Sequence, residues 1–167
     1  MSKGSKSSSA GSHKGRKANL APRIENRRAW HEFHVDAKLE CGIALKGSEV
    51  KSLRLGKAQL QDAFARIENG QLVLHNLHID PYEKATVVNH EPLRERRLLA
   101  HRREIKKLAD ATRERGTTLI PLAVYFKGPH AKVEIGVARG KQDYDKRQSI
   151  KKKEMDKEVR RAMSHRR

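Results

Sequence analysis

Phe33-His34-Val35-Asp36-Ala37-Lys38-Leu39-Glu40-Cys41-Gly42-Ile43-Ala44-Leu45 decides the fold class, because Phe33, Val35, Ala37, Leu39, Cys41, Ile43 and Leu45 recur at every second position. Successive side chains of an extended chain point to opposite faces, so this alternation predicts one long half-buried strand. Gly42 lacks a side chain where such a strand would bend or bulge, as barrels require at their corners. The expectation is a curved sheet.

Further along the chain, Ala63 to Glu68 and Gln71 to Ile79 flank Asn69-Gly70, whose residues both tolerate positive φ, and this predicts a tight hairpin. Thr118 to Lys127 and Lys132 to Ala138 predict a second hairpin across Gly128-Pro129-His130-Ala131, with Pro121 marking an edge or a bulge. Val87-Val88 suggests a further brief strand. Gly47 to Gly56 reads as a short helix, with Ser48 as N-cap, Glu49 in the first turn and Gly56 after the last apolar residue. From Pro92 to Arg115 the spacing of Leu93, Leu98, Leu99, Ile105, Leu108, Ala109 and Thr112 predicts one long helix stopped by Gly116. The fold class is mainly β: a small antiparallel barrel of the oligonucleotide-binding type with one short and one longer helix.

Charge divides the chain differently. The sequence holds 38 Lys and Arg against 20 Asp and Glu, a formal net charge of +18. Residues 1–25 carry 6 basic and 1 acidic side chains, residues 26–138 carry 20 and 14, and residues 139–167 carry 12 and 5. A polyanion is the natural partner of such a chain. Gly136 to Arg147 is where the apolar strand pattern gives way to the basic tail. The expected organisation is a disordered basic tail over 1–22, a barrel domain over 23–140, and a basic C-terminal tail over 141–167. The Ser, Gly and Lys of the first segment cannot bury enough surface to order a backbone. Ile150, Met155, Val159 and Met163 would give the C-terminal tail a narrow apolar stripe if it became helical, but like-charge repulsion makes that helix marginal in water. A tail disordered when free and helical in an RNA-lined channel is expected; a solubilising basic extension is the alternative.

Seven aromatic residues, Trp30, Phe33, Phe64, Tyr82, Tyr125, Phe126 and Tyr144, imply a largely aliphatic core. They are also few for a generic single-strand-binding barrel, which stacks bases on exposed rings. The single cysteine, Cys41, excludes an internal disulfide, fits a reducing cytoplasm and falls on the apolar face of its strand. No apolar run reaches the roughly 18 residues of a membrane span, and no apolar stretch follows the basic N-terminus as export would require. His31-Glu32-Phe33-His34 lacks the one-turn histidine spacing of a zinc-protease helix and reads as strand. No P-loop, dinucleotide fingerprint or nucleophile elbow is present, so neither an enzyme, a cofactor nor a metal is expected.

Asn26-Arg27-Arg28-Ala29-Trp30-His31-Glu32-Phe33, Glu40-Cys41-Gly42-Ile43-Ala44-Leu45-Lys46-Gly47, Glu49-Val50-Lys51-Ser52-Leu53-Arg54, Gly56-Lys57-Ala58, Arg97-Leu98-Leu99 and the block ending Asp145-Lys146-Arg147 together resemble the SsrA-binding protein (small protein B) family. The resemblance implies an oligonucleotide-binding barrel that holds the tRNA-like domain of transfer-messenger RNA and brings it to the small-subunit decoding site of stalled ribosomes, for rescue and for tagging of incomplete proteins. It implies elongation factor Tu and alanyl-tRNA synthetase as partners through the RNA, a basic tail in the empty messenger channel, a monomer when free, and a cytoplasmic location. By matching position, the RNA-binding residues are Asn26, His31, Glu40, Lys51, Arg54, Lys57, Leu99, His101, Lys132, Arg139 and Lys141. His101 stands where the family usually has Asn, and an imidazole cannot reproduce an amide's paired donor and acceptor. The tail residues implied are Tyr144, Asp145, Lys146, Arg147, Lys151, Lys152, Lys153 and Met163. A generic nucleic-acid-binding barrel is the alternative reading.

Folded RNA is read mainly through backbone, shape and sugar hydroxyls, which suits a surface rich in Lys and Arg and poor in aromatics. Glu40 is the exception. An acid facing RNA has to accept a hydrogen bond from a base or sugar, or orient a neighbouring cation.

Overall fold

A computed structural model of the chain describes residues 21–85, 89–142, 151, 154–158, 161 and 163. Its elements in order are β1 (Ile24–Glu25), α1 (Arg27–Glu32), β2 (Phe33–Ile43), α2 (Gly47–Arg54), β3 (Ala58–Gln59), β4 (Phe64–Glu68), β5 (Gln71–His75), β6 (His78–Ile79), β7 (Arg96–Leu99), α3 (Arg102–Thr112), β8 (Thr117–Lys127) and β9 (His130–Gly140). Strands β8, β4, β5, β7, β2 and β9 pair in that order, and β9 pairs back with β8, so the sheet closes on itself. Every pairing is antiparallel. The expected barrel is therefore present, with β1 added beside β8 and a small β3–β6 ribbon alongside. Closure removes the exposed strand edges that would otherwise invite pairing with other chains.

The interior is aliphatic. Leu72, Leu74, Leu77, Ile79, Leu119, Val133 and Ile135 are buried, and no aromatic side chain joins the fully buried core. Each large aliphatic side chain contributes about 1.5–3 kcal/mol by leaving water.

The long strand β2 forms as expected, but its bulge is not at Gly42. Val35 pairs with Ala138 and Ala37 with Val137, leaving Asp36 as the extra residue. The bulge reverses the face of the strand. Leu39, Cys41 and Ile43 enter the barrel core, whereas Phe33 and Val35 join a second cluster with Ala29, Ile120 and Leu122. Strand β8 makes the same change at Pro121, where Leu122 is the extra residue, so the proline does sit at a bulge. One alternating sequence pattern thus serves two cores.

The helices depart more from expectation. α1 was not foreseen; Asn26 caps it by accepting a hydrogen bond from the Ala29 N–H at 3.1 Å. His31 and Glu32 therefore lie on a helix, and strand begins at Phe33. In α2 the cap is Lys46 rather than Ser48, and the Glu49 carboxylate accepts from the Lys46 N–H at 2.6 Å. The long helix over Pro92–Arg115 is corrected to Arg102–Thr112. Arg96–Leu99 is strand, because its backbone completes the ring between β5 and β2, with Leu72 opposite Leu98 and Gly42 opposite Leu99. Long-range pairing outweighs the helical spacing there. Asn69 and Gly70, with φ of 50° and 73°, form the expected tight hairpin turn. The second hairpin turns at Gly128-Pro129, and its second strand begins at His130, two residues earlier than the expected Lys132. Residues 87 and 88, read as a brief strand, lie outside the described residues, as does the N-terminal tail through residue 20.

Candidate nucleic-acid interface

Four strands carry one row of outward-facing residues. Tyr125 on β8 lies opposite Lys132 on β9, Lys132 opposite Gly42 on β2, and Gly42 opposite Leu99 on β7. Their neighbours Val124, Val133, Cys41, Ile43 and Leu98 fill the barrel, so alternation turns this row outward. Gly42 leaves room for Leu99 to lie across the sheet; a Cβ at that position would stand 3.3 Å from the Leu99 Cβ. Leu99 keeps 53% of its surface exposed, an apolar side chain offered to solvent among cations. It stands with Lys132 between two open concavities. One, of about 520 Å³, is lined by Glu40, Gln71, Arg97, His101 and Ile105; the other, of about 490 Å³, by Gly42, Leu45, Val50, Phe126 and Ala131.

Glu40 organises the cations of this face. Its carboxylate accepts a hydrogen bond from the Tyr125 hydroxyl and lies 3.4 Å from Lys127 Nζ and 3.7 Å from Lys132 Nζ. The tyrosine hydrogen bond, followed by the two ammonium groups, holds the carboxyl below its usual range and keeps it ionised. The Tyr125 hydroxyl is pushed up by the same contact. Arg23 stacks on the Tyr125 ring at 4.6 Å and pairs with Glu134 at 2.6 Å. These contacts let Glu40 orient its neighbouring cations.

α2 sets further cations beside this face. Arg54 lies over the Phe126 ring at 5.5 Å and Lys51 over Tyr82 at 5.2 Å. Lys57 is paired with Glu83, so its charge is internally balanced. The helix is locked to the strand β7 approach by Glu49, which is fully buried and accepts from Arg96 Nε at 2.8 Å and Arg94 Nε at 2.9 Å. Burial pushes the Glu49 carboxyl up, but the hydrogen bonds from Arg94, the Lys46 backbone and Arg96 outweigh it and leave it lowered.

Asn26, His31, Arg139 and Lys141 lie elsewhere. Lys132 and Arg139 are seven steps apart along β9, about 24 Å of chain at strand rise. Asn26 is buried, and its amide donates to the Leu60 carbonyl at 3.0 Å and the Pro121 carbonyl at 3.2 Å. With its oxygen used as the α1 cap, this side chain is committed to the fold rather than turned toward a ligand. Arg139 pairs with Asp36 at 3.1 Å and Glu114 at 2.7 Å. Lys141 closes α1: its N–H donates to the Glu32 carbonyl at 2.8 Å and its Nζ to the Trp30 carbonyl at 3.0 Å. Carbonyls at a helix C-terminus lack intrahelical partners, and an ammonium group there is favoured. The chain therefore leaves the barrel clamped to α1, beside Trp30, whose ring carries Lys38 Nζ at 4.5 Å.

Lys151 and Met163 of the tail are helical and exposed, as are residues 154–158. Tyr144, Asp145, Lys146, Arg147, Lys152 and Lys153 lie outside the described residues. Arg97 and Tyr125 escaped the sequence reading. Arg97 was hidden by the misassigned helix, whereas Tyr125 needed only the alternation of β8 to place it outward. Cys41 is a core residue, its thiol pushed up to about 12 by burial. Among the described residues no group of three His, Cys, Asp or Glu side chains could hold a metal ion, and no helix is long and apolar enough to cross a membrane.

A sequence model of the family described as SmpB protein matches residues 23–165, from β1 into the C-terminal tail. The chain belongs to the SmpB protein family. Among SmpB relatives, the SsrA-binding protein of Carboxydothermus hydrogenoformans is 55% identical over 139 residues, covering 83% of this chain and 93% of its own. The SsrA-binding protein of Staphylococcus aureus (strain Newman) is 50% identical over 142 residues, covering 85% and 92%. A chain of the solved structure described as "tmRNA-SmpB: a journey to the center of the bacterial ribosome" matches with a TM-score of 0.64 at 46% identity, over 78% of this chain and 95% of that one. The expected antiparallel barrel is thus the SmpB fold, and Glu40, Leu99, His101 and Lys132 are the expected site residues that it gathers on one face.

Proposed function

We propose that this chain is the RNA-binding adaptor of trans-translation: it binds the tRNA-like domain of transfer-messenger RNA, delivers that RNA to stalled ribosomes, and so leads to ribosome rescue and tagging of incomplete proteins. The observation that carries this reading is the 46% identity, over 78% of the chain, to a protein described with transfer-messenger RNA at the ribosome. The geometry agrees in kind. A face bearing Lys132, Arg97 and Arg54 around the exposed Leu99 suits backbone and shape recognition of folded RNA. Glu40 and Tyr125 hold Lys132 in place, and Asn26 acts from within by setting α1. The tail, launched from the Lys141 clamp, reaches into the empty messenger channel, where RNA phosphates neutralise its charge and favour its helix. The protein acts in the cytoplasm by binding, without chemistry of its own.

Affinity for the tRNA-like domain, ordinary tRNA and an unstructured RNA of equal length, each over a salt series, tests the proposal. A preference for the first that survives near-physiological salt is expected, and Leu99→Ala and Lys132→Ala should each weaken it. Three affinities that are equal and collapse together with salt would reduce the protein to a generic polyanion binder. Deleting residues 148–167 should spare RNA binding and abolish tagging; persistent tagging would overturn the role given to the tail.

A further inference from the structure

Helix α3 is charged the wrong way round. Arg102, Arg103, Lys106 and Lys107 occupy its first six residues, all exposed, while its last turn has no basic residue. A helix N-terminus carries the positive end of the backbone dipole and disfavours cations, and Arg102–Lys106 and Arg103–Lys107 are like-charge pairs one turn apart. Helix α2 shows the favourable order, with Glu49 in its first turn and Lys51 and Arg54 in its last. Glu104 caps α3 as Glu49 caps α2, accepting from the His101 N–H at 2.7 Å, but it is one acid against four cations in the first six residues. Among the described residues the four cations have no ion pair, hydrogen bond or ring contact; the ion pair on this helix joins Arg113 to Asp110. Packing of Ile105, Leu108 and Ala111 on the core holds the helix in spite of this arrangement.

A local cluster of like charges with no ion pair to relieve it among the described residues marks a functional surface. Its position says for what. His101, Glu104 and Ile105 line the concavity beside Leu99 and Lys132, and the four cations begin one residue further on, on the outer side of the same turn. Residues 102–107 extend this basic surface by about 7.5 Å at 1.5 Å per residue. No large apolar side chain accompanies them, so the surface offers charge without an anchor for a protein partner.

We propose that the outer face of the N-terminal half of α3 is a second phosphate-binding surface, gripping the backbone of the same folded RNA that the Leu99–Lys132 concavity holds. This rests on the reading of that concavity as the RNA site. The RNA passes from the concavity around the His101 turn, and Arg102, Arg103, Lys106 and Lys107 neutralise its phosphates without reading sequence. The helix gains on binding what it lacks when free, because the phosphates relieve the repulsion along it.

The test uses the full-length quadruple variant R102Q/R103Q/K106Q/K107Q with the tRNA-like domain as probe, titrated between 50 and 200 mM salt. The slope of log affinity against log salt should fall by about 3, from four phosphate contacts at roughly 0.7 to 0.9 each. The thermal midpoint should hold or rise, which separates the effect from misfolding. R113Q/R115Q removes two charges from the C-cap of α3 and the turn after it, and should change the slope less than either R102Q/R103Q or K106Q/K107Q. An unchanged slope in the quadruple variant, an R113Q/R115Q effect as large as either half, or an equal loss on unstructured RNA would overturn the proposal. If Leu99→Ala and Lys132→Ala still weaken binding in that case, the second surface alone falls; if they too are silent, the reading of the concavity falls with it.

Discussion

Replacing Glu49 by Gln keeps the volume of the side chain and removes the charge that neutralises a buried arginine. Glu49 and Arg96 are both fully buried; Glu49 Oε1 accepts from Arg96 Nε at 2.8 Å and Arg94 Nε at 2.9 Å, and Oε2 accepts from Arg94 Nη2 and from the Lys46 N–H. A glutamine amide turns two donors of its own toward groups that already donate. Arg96 keeps its bonds to the carbonyls of Leu77, Pro92 and Arg94 but loses its counter-charge. Breaking a buried pair from one side costs about 3–5 kcal/mol, a large part of the 5–15 kcal/mol that holds a domain together. For a body of this size the thermal midpoint should fall by roughly 10–20 °C. Urea melts of wild type and variant, with unchanged slope and shifted midpoint, measure the loss. The double variant Glu49→Met, Arg96→Leu should recover much of it, since Arg94 remains partly exposed to water. The Glu49 carboxyl is lowered in the folded state, so its contribution is complete above the ordinary carboxylate range and is lost as pH falls through the folded value. Glu49→Gln should therefore flatten the acid limb of stability against pH. A loss below about 1 kcal/mol, or a double variant no more stable than the single, would refute the reasoning. Because Glu49 ties α2, with Lys51 and Arg54, to the segment leading into β7, with Arg97 and Leu99, the folded variant should also bind RNA more weakly.

Asn26→Ala should destabilise by about 2 kcal/mol, from the lost cap and two carbonyls left without the amide, while RNA affinity below its melting range stays near wild type; a loss of affinity without loss of stability would make Asn26 a contact residue. Tyr125→Phe removes the hydrogen bond that lowers the Glu40 carboxyl, so its titration, followed by carboxyl NMR, should move upward, and an unmoved titration would contradict the contact. Cys41, with its thiol near 12, should resist maleimide at pH 8 until the protein is unfolded, and labelling of the native protein at the rate of a free thiol would place it outside the core. Gly42→Val should displace Leu99 and weaken RNA binding in a protein that still melts cooperatively; retained affinity would show that the position of Leu99 does not matter.

Local rules made much of this protein legible from its sequence. The alternation from Phe33 to Leu45, the Asn69-Gly70 turn, the aliphatic core and the basic excess each depend on residues close in the chain, and the two hairpins and β2 follow from them. The matching blocks also brought Glu40, Leu99, His101 and Lys132 into view as candidates, although they lie 92 residues apart from first to last. What remained hidden depended on distant partners. Arg96–Leu99 carries helical spacing but becomes strand because β5 and β2 need its backbone to close the barrel. The bulges at Asp36 and Leu122, which send one alternating pattern into two cores, exist only in the pairing of β2 and β8 with β9. Asn26 was named by matching position, and its burial against Leu60 and Pro121, far along the chain, is set by tertiary contacts. The burial of Glu49 and Arg96 is not legible locally, because each is tolerable inside the protein only beside the other. Sequence alone determined the long alternating strands, the Asn69-Gly70 turn and the sign of partner the chain suits; tertiary structure decided that Arg96–Leu99 is strand, which charges are buried, which face carries Leu99 and Lys132, and where the helix begins, since those depend on contacts between residues that the chain keeps far apart.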